Sequence, residues 1–139
     1  MNEIILKNMN SIVKEDDTLI ILGDICAGLK KRYQEQEELL KKFNGNKILI
    51  LGNHDHNSTE FYEKCGYTVG THLQIKDYFL NHYPLDDNSQ QSLKKIFIES
   101  KCKKIIHGHK HTGETKNDGI QRLNVCVDYW DFKPVLFKP

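Results

Sequence analysis

The chain has 139 residues, 38% hydrophobic and 28% charged, the size and composition of one compact domain, 1–139, rather than of a disordered chain. With 20 basic residues against 19 acidic, the formal charge is +1, so no whole-molecule field draws nucleic acid or an anionic membrane. The longest apolar runs, such as Leu19 to Leu22 and Ile48 to Leu51, are far too short to span a bilayer and no signal-peptide apolar region opens the chain, so a cytoplasmic protein is expected.

In chain order, residues 2 to 14 place Ile4, Ile5, Met9, Ile12 and Val13 at helical spacing, ending before Asp16-Asp17, which predicts an amphipathic helix. Thr18 to Leu22 is a short β-rich apolar run that stops at Gly23-Asp24. Leu29 to Phe43 then reads as a second helix, closed by Asn44-Gly45-Asn46. Lys47 to Leu51 repeats the strand pattern into Gly52-Asn53-His54-Asp55, and Ser58 is placed to N-cap a shorter helix that ends at Cys65 before Gly66.

Between Thr71 and Tyr83, alternation around Leu73, Ile75 and Phe79 with a turn at Lys76-Asp77 predicts a hairpin whose second strand delivers His82 just before Pro84. Gln90 to Lys101 is helical. Lys103 to Ile106 is a strand running into His107-Gly108-His109-Lys110-His111, and Leu123 to Val127 is the last strand. The order α-β-α-β-α-β-β-α-β-β predicts an α/β domain with mixed sheets. Lys94, Lys95, Lys101, Lys103 and Lys104 cluster around the fourth helix, where a solvated helix face accounts for them. Cys26, Cys65, Cys102 and Cys126 form no Cys-x-x-Cys pair and read as reduced thiols, mostly in the core.

Metal-capable residues fall just past four of these strand ends: Asp24, Asn53, His82 and His109, separated by 29, 29 and 27 positions (53−24, 82−53, 109−82). That interval is about one strand-helix-strand unit, so the four are expected at one edge of a sheet, the carboxyl edge at which open α/β sheets bind ligands. One carboxylate, one amide oxygen and two imidazoles make a mixed oxygen and nitrogen shell suited to manganese, iron or zinc. Each residue alone has a structural explanation: Asp24 can end a strand, Asn53 can favour a left-handed turn and His82 can be a hydrogen-bonded core histidine. A given four-letter string arises by chance in about one chain in a thousand of this length, so its occurrence in register with the others favours a site.

Gly23-Asp24, Gly52-Asn53-His54-Asp55, His82 and Gly108-His109-Lys110-His111 resemble, in order, four of the five motif blocks of the calcineurin-like metallophosphoesterase superfamily. The ending Asn124-Val125-Cys126-Val127-Asp128 with Trp130 and Pro134 is similar to its small bacterial and phage members. The resemblance implies a sandwich of mixed β-sheets flanked by helices. It also implies metal-assisted hydrolysis of phosphate mono- or diesters, with a small phosphate ester or a nucleotide as substrate. Asp24 would bridge two ions, Asn53, His82 and His109 would complete the shell of one, and His111 would belong to the other. His54 would stabilise charge at the phosphate or protonate the leaving oxygen, and Asp55 would fix its orientation.

The family pattern begins with a strand ending in Asp-x-His, and nothing like it precedes Gly23-Asp24 here. The resemblance therefore implies one well-formed metal site and a second reduced to Asp24 and His111, with His56 and His107 as candidate substitutes. His72 is read as a surface residue. Two readings stay open: an active phosphoesterase using one ion or recruiting a second weakly, and a non-catalytic metal-binding or interaction protein derived from the family. The absent strand would leave a sheet edge uncovered, which a homodimer would close.

Overall fold

A computed structural model describes residues 2–25, 33–110, 118–127, 130 and 133–139. Its elements are α1 (Asn2–Ile12), β1 (Thr18–Ile21), α2 (Tyr33–Lys41), β2 (Asn46–Ile50), α3 (Thr59–Lys64), β3 (Tyr67–Gly70), β4 (Leu73–Ile75), β5 (Tyr78–Leu80), α4 (Gln91–Ser100), β6 (Lys104–His107) and β7 (Gln121–Asn124). Two sheets form, one in the order β1-β2-β3 and the other in the order β4-β5-β6-β7. The first is parallel throughout; in the second, β4 and β5 are the antiparallel hairpin and β5, β6 and β7 run parallel.

The period-2 alternation of each strand explains the layering. Ile48 and Ile50 of β2, Leu80 of β5 and Ile106 of β6 point into one cluster with Leu22 and Val125, which packs the two sheets face to face. Their neighbours point the other way. Leu49 joins Leu40, Phe61 and Tyr62 under the helices of the first sheet, and Phe79 and Ile105 join Phe97 of α4 on the far side of the second. Along α1 and the residue after it the buried stripe is narrower than the sequence pattern: Met9 and Val13 are buried, whereas Ile4 and Ile12 are 56% and 48% exposed.

Three expectations are corrected. The four ligand candidates follow strands of two facing sheets rather than one sheet edge, β1 and β2 in the first and β5 and β6 in the second. Strand β3 was not anticipated, because Tyr-Thr-Val-Gly is short. It is held by parallel pairing with β2 and by the buried Tyr67, whose hydroxyl donates to the Leu40 carbonyl at 2.8 Å. The last strand begins two residues earlier than expected, at Gln121, since Arg122 interrupts the apolar pattern although its side chain is 2% exposed. The start of the second helix at Leu29, together with Cys26, lies outside the described residues; Cys65, Cys102 and Cys126 are free thiols. Among the described residues no helix is long and apolar enough to cross a membrane.

Candidate metal centre

The carboxyl ends of β1, β2, β5 and β6 open at the same end of the sandwich, and the turns that leave them carry the candidate ligands. The first two turns approach each other closely enough to exclude side chains. At Gly23, where φ is +92°, an added Cβ would collide with the His82 ring. At Gly52 it would collide with the Asp24 carboxylate. Asp24 and His109 themselves have left-handed backbones, with φ of 57° and 66°, a conformation that non-glycine residues hold only when their surroundings over-determine it.

Asp55 supplies that constraint at Asp24. Its carboxylate accepts from the backbone N–H groups of Asp24 at 2.7 Å, Ile25 at 2.9 Å and Gly52 at 2.8 Å, tying the turn after β1 to the turn after β2. Its partners are these amides rather than the His54 imidazole, so the expected orienting contact to His54 is replaced by a bracing role. Burial pushes the Asp55 pKa up, and the nearby Asp24 charge adds to that, against the lowering effect of the three N–H donors. His54 is exposed, its backbone N–H donates to Asp24 Oδ1 at 2.8 Å, and its ring meets that of His56 edge-on at 6.1 Å.

His82, 2% exposed, is the centre of the arrangement. Its Nδ1 lies 2.7 Å from the Leu22 carbonyl, an atom that can only accept, so the proton of the neutral ring sits on Nδ1 and the Nε2 lone pair faces the opening. Around that Nε2 stand Asn53 Oδ1 at 3.0 Å, His109 Nδ1 at 3.1 Å and Asp24 Oδ2 at 3.3 Å. With the His82 proton on Nδ1, Nε2, Asn53 Oδ1 and Asp24 Oδ2 turn lone pairs toward one another, an arrangement that a cation among them satisfies. Donor atoms about 2.0–2.2 Å from an ion are themselves roughly 3 Å apart, the spacing seen here. The donor atoms of Asp24, His82 and His109 all lie within 4.8 Å of one another. The residues present therefore fit a divalent ion, with the Leu22 carbonyl fixing the tautomer of the buried ligand.

His111 lies outside the described residues. His107 points away from the cluster: it is fully buried, its Nδ1 contacts the Gly108 carbonyl at 2.7 Å and its Nε2 has no hydrogen-bond partner among the described residues. Burial pushes its pKa down. His72 is not a plain surface residue but stacks on Phe79 at 5.3 Å and 11°. Sequence reasoning missed Tyr83, whose ring packs against His82 at 4.8 Å and His109 at 5.2 Å; its position between His82 and Pro84 was the available signal. The Leu22 carbonyl, being backbone, left none.

The family model for calcineurin-like phosphoesterases matches residues 3–87. The chain is 30% identical over 140 residues to the uncharacterized protein MJ1445 of Methanocaldococcus jannaschii, covering 97% of this chain and 70% of that protein. It is also 30% identical over 148 residues to the gene 66 protein of Mycobacterium phage L5, covering 89% and 72% respectively. Among solved structures, a protein of unknown function from Aquifex aeolicus, AQ665, is similar with a TM-score of 0.72 and 27% identity over 96% of this chain and 80% of that one. An archaeal phosphodiesterase shares the fold with a TM-score of 0.53 and 21% identity over 87% of this chain and 72% of that one. With most of the chain matched by the family model and the motif residues gathered at one end of two facing sheets, the chain belongs to the calcineurin-like phosphoesterase family.

Proposed function

We propose that this protein hydrolyses phosphate esters, mono- or diesters of small molecules or nucleotides, at the cluster formed by Asp24, Asn53, His82 and His109. The observation that carries the proposal is the convergence of donor atoms on His82 Nε2, with the other ring nitrogen committed to the Leu22 carbonyl. These four residues would hold manganese, iron or zinc, and a bound ion supplies charge neutralisation at the phosphoryl oxygens and a nucleophile at neutral pH. His54 is exposed on the turn that carries Asn53, in reach of a phosphate at the cluster, and protonates the leaving oxygen. Its backbone N–H orients the Asp24 carboxylate. Asp55 keeps both turns in register through its three amide contacts.

His111 belongs in this proposal to a second, weaker ion shared with Asp24. One observation favours the non-catalytic alternative: Asp24, His82 and His109 form one metal-capable group among the described residues, where a paired clamp on attacking and leaving oxygens needs two ions. Manganese-dependent hydrolysis of a chromogenic phosphodiester, with His54→Ala as control for contaminating enzyme, separates the readings. Turnover that disappears in the control supports the hydrolase. A folded protein that binds the ion and leaves the ester intact supports the metal-binding relative. Among the described residues β1 pairs with β2 alone, an edge that a homodimer would cover, and a cytoplasmic setting belongs to the same proposal.

A further inference from the structure

β7 provides none of the four candidate ligands, yet its side chains reach both loops that carry the histidine ligands. Arg122 is 2% exposed; its Nε donates to the Pro84 carbonyl at 2.6 Å and its Nη2 to the Leu85 carbonyl at 3.2 Å. The same guanidinium is held in a fork by Asp118, at 2.7 Å to Oδ1 and 2.9 Å to Oδ2. Leu85, three residues after His82, has a left-handed backbone with φ of 57°. Asn124 performs the matching task at the other loop: its Nδ2 donates to the Lys110 carbonyl at 2.7 Å, one residue beyond the left-handed His109, while its Oδ1 accepts from the Cys126 N–H at 2.9 Å. The two loops are also joined to each other by Lys110 and Asp86, Nζ to Oδ2 at 2.8 Å.

A leucine and a histidine do not rest in left-handed backbone without being held there, and such strain costs of order 1–3 kcal/mol per residue. Leu85 itself and Lys110, the residue after His109, are each gripped by a β7 side chain whose donor count and planar shape match what it grips: a guanidinium fork over the carbonyls of Pro84 and Leu85, and an amide that donates to the Lys110 carbonyl and accepts from the Cys126 N–H. We infer that Arg122 and Asn124 are positioning residues for the metal centre, fixing the loops that present His82 and His109 so that Nε2 and Nδ1 meet at ion-binding distance. The inference rests on the metal reading of the cluster.

Its test is the affinity of the full chain for Mn²⁺, measured by calorimetric titration beside the thermal unfolding of the metal-free protein. Asn124→Asp keeps the size and the acceptor while removing the donor to Lys110; Arg122→Lys keeps the charge while removing the fork. Both are expected to weaken Mn²⁺ binding about 10- to 100-fold, as loss of outer contacts to metal ligands does, with the fold retained. Tyr67→Phe, which removes the hydroxyl bond to the Leu40 carbonyl at the amino end of β3, the strand end opposite the site, should lower thermal stability and leave Mn²⁺ affinity unchanged, which separates positioning from general destabilisation. Wild-type affinity in folded Asn124→Asp and Arg122→Lys would overturn the inference alone. A wild-type protein that takes up no ion would overturn the metal reading and the inference with it. Should Arg122→Lys fail to fold, Asn124→Asp and Asp118→Asn, which removes the fork's anchor, decide the matter by the same affinity measurement.

Discussion

At the scale of single residues, the proposed site separates groups that would hold an ion from groups that would work on what it binds. His109 and Asn53 each place one donor atom about 3 Å from His82 Nε2. His109→Ala and Asn53→Ala therefore remove a ligand, and elemental analysis after dialysis should find the ion lost from both. His54 contributes to the cluster through its backbone N–H, which donates to Asp24, and that donor survives replacement of the side chain. His54→Ala should keep the ion and lose hydrolysis by about 10²- to 10⁴-fold, the usual worth of a general acid. Unchanged metal content in both ligand variants would show the assignment to be wrong.

At the scale of elements, helix α3 shows how directly local sequence sets structure. Ser58 takes an extended backbone and its Oγ accepts from the Phe61 N–H at 3.2 Å, which orients the buried Phe61 and Tyr62. Ser58→Ala should cost about 1 kcal/mol in urea unfolding, the typical loss of an N-cap. The clamp at β7 adds a pH dependence. Arg122 holds the Asp118 pKa at about 2, below the ordinary 3.8. A depressed folded-state pKa contributes stability that is present above the unfolded value and lost as pH falls through the folded one. The stability gap between wild type and Asp118→Asn should hence be constant above about pH 3.8 and close as pH approaches about 2. The carboxylate is partly exposed, so solvent screening keeps the gap small; unfolding curves that leave it open at the acid end would show that the contact is not one of charge. The same comparison shows where sequence reading succeeds and fails. Turns, caps and apolar periods are written locally, which is why Ser58, the turn at Lys76-Asp77 and the glycine-flanked ligand positions were legible. Arg122 was not, because its burial depends on two carbonyls 37 and 38 positions away, and no local pattern marks a buried guanidinium.

At the scale of the whole molecule, the spacing of Asp24, Asn53, His82 and His109 revealed that strand ends converge but not that two sheets share them, since a periodic interval is the same for one sheet or two. Among the described residues, one of the sheet edges is the outer side of β1. This strand pairs with β2 and, among the described residues, with no strand on its other side. Its sequence Thr-Leu-Ile-Ile carries none of the charges or prolines that commonly protect an edge from pairing with another chain. Beside it lies a recess of about 1180 Å³ that runs from Ile5, Met9 and Val13 of the first helical segment and Val135 and Phe137 near the carboxyl end to Asp24, His54, His82 and His109 of the candidate metal centre. A second copy of the chain laid along the edge would cover its backbone groups and the apolar end of the recess at Ile5, Met9 and Val13, leaving the end at Asp24 and His82 open to substrate. Light scattering across a tenfold dilution should therefore give a mass above that of the 16.2 kDa chain which falls towards it as the protein is diluted. Ile12→Glu places a charge at the rim of the recess, on a residue already 48% exposed, and should shift the balance towards the monomer without unfolding it. A monomer mass at every concentration would count against self-association, and an undisturbed assembly in Ile12→Glu would move the interface away from this recess.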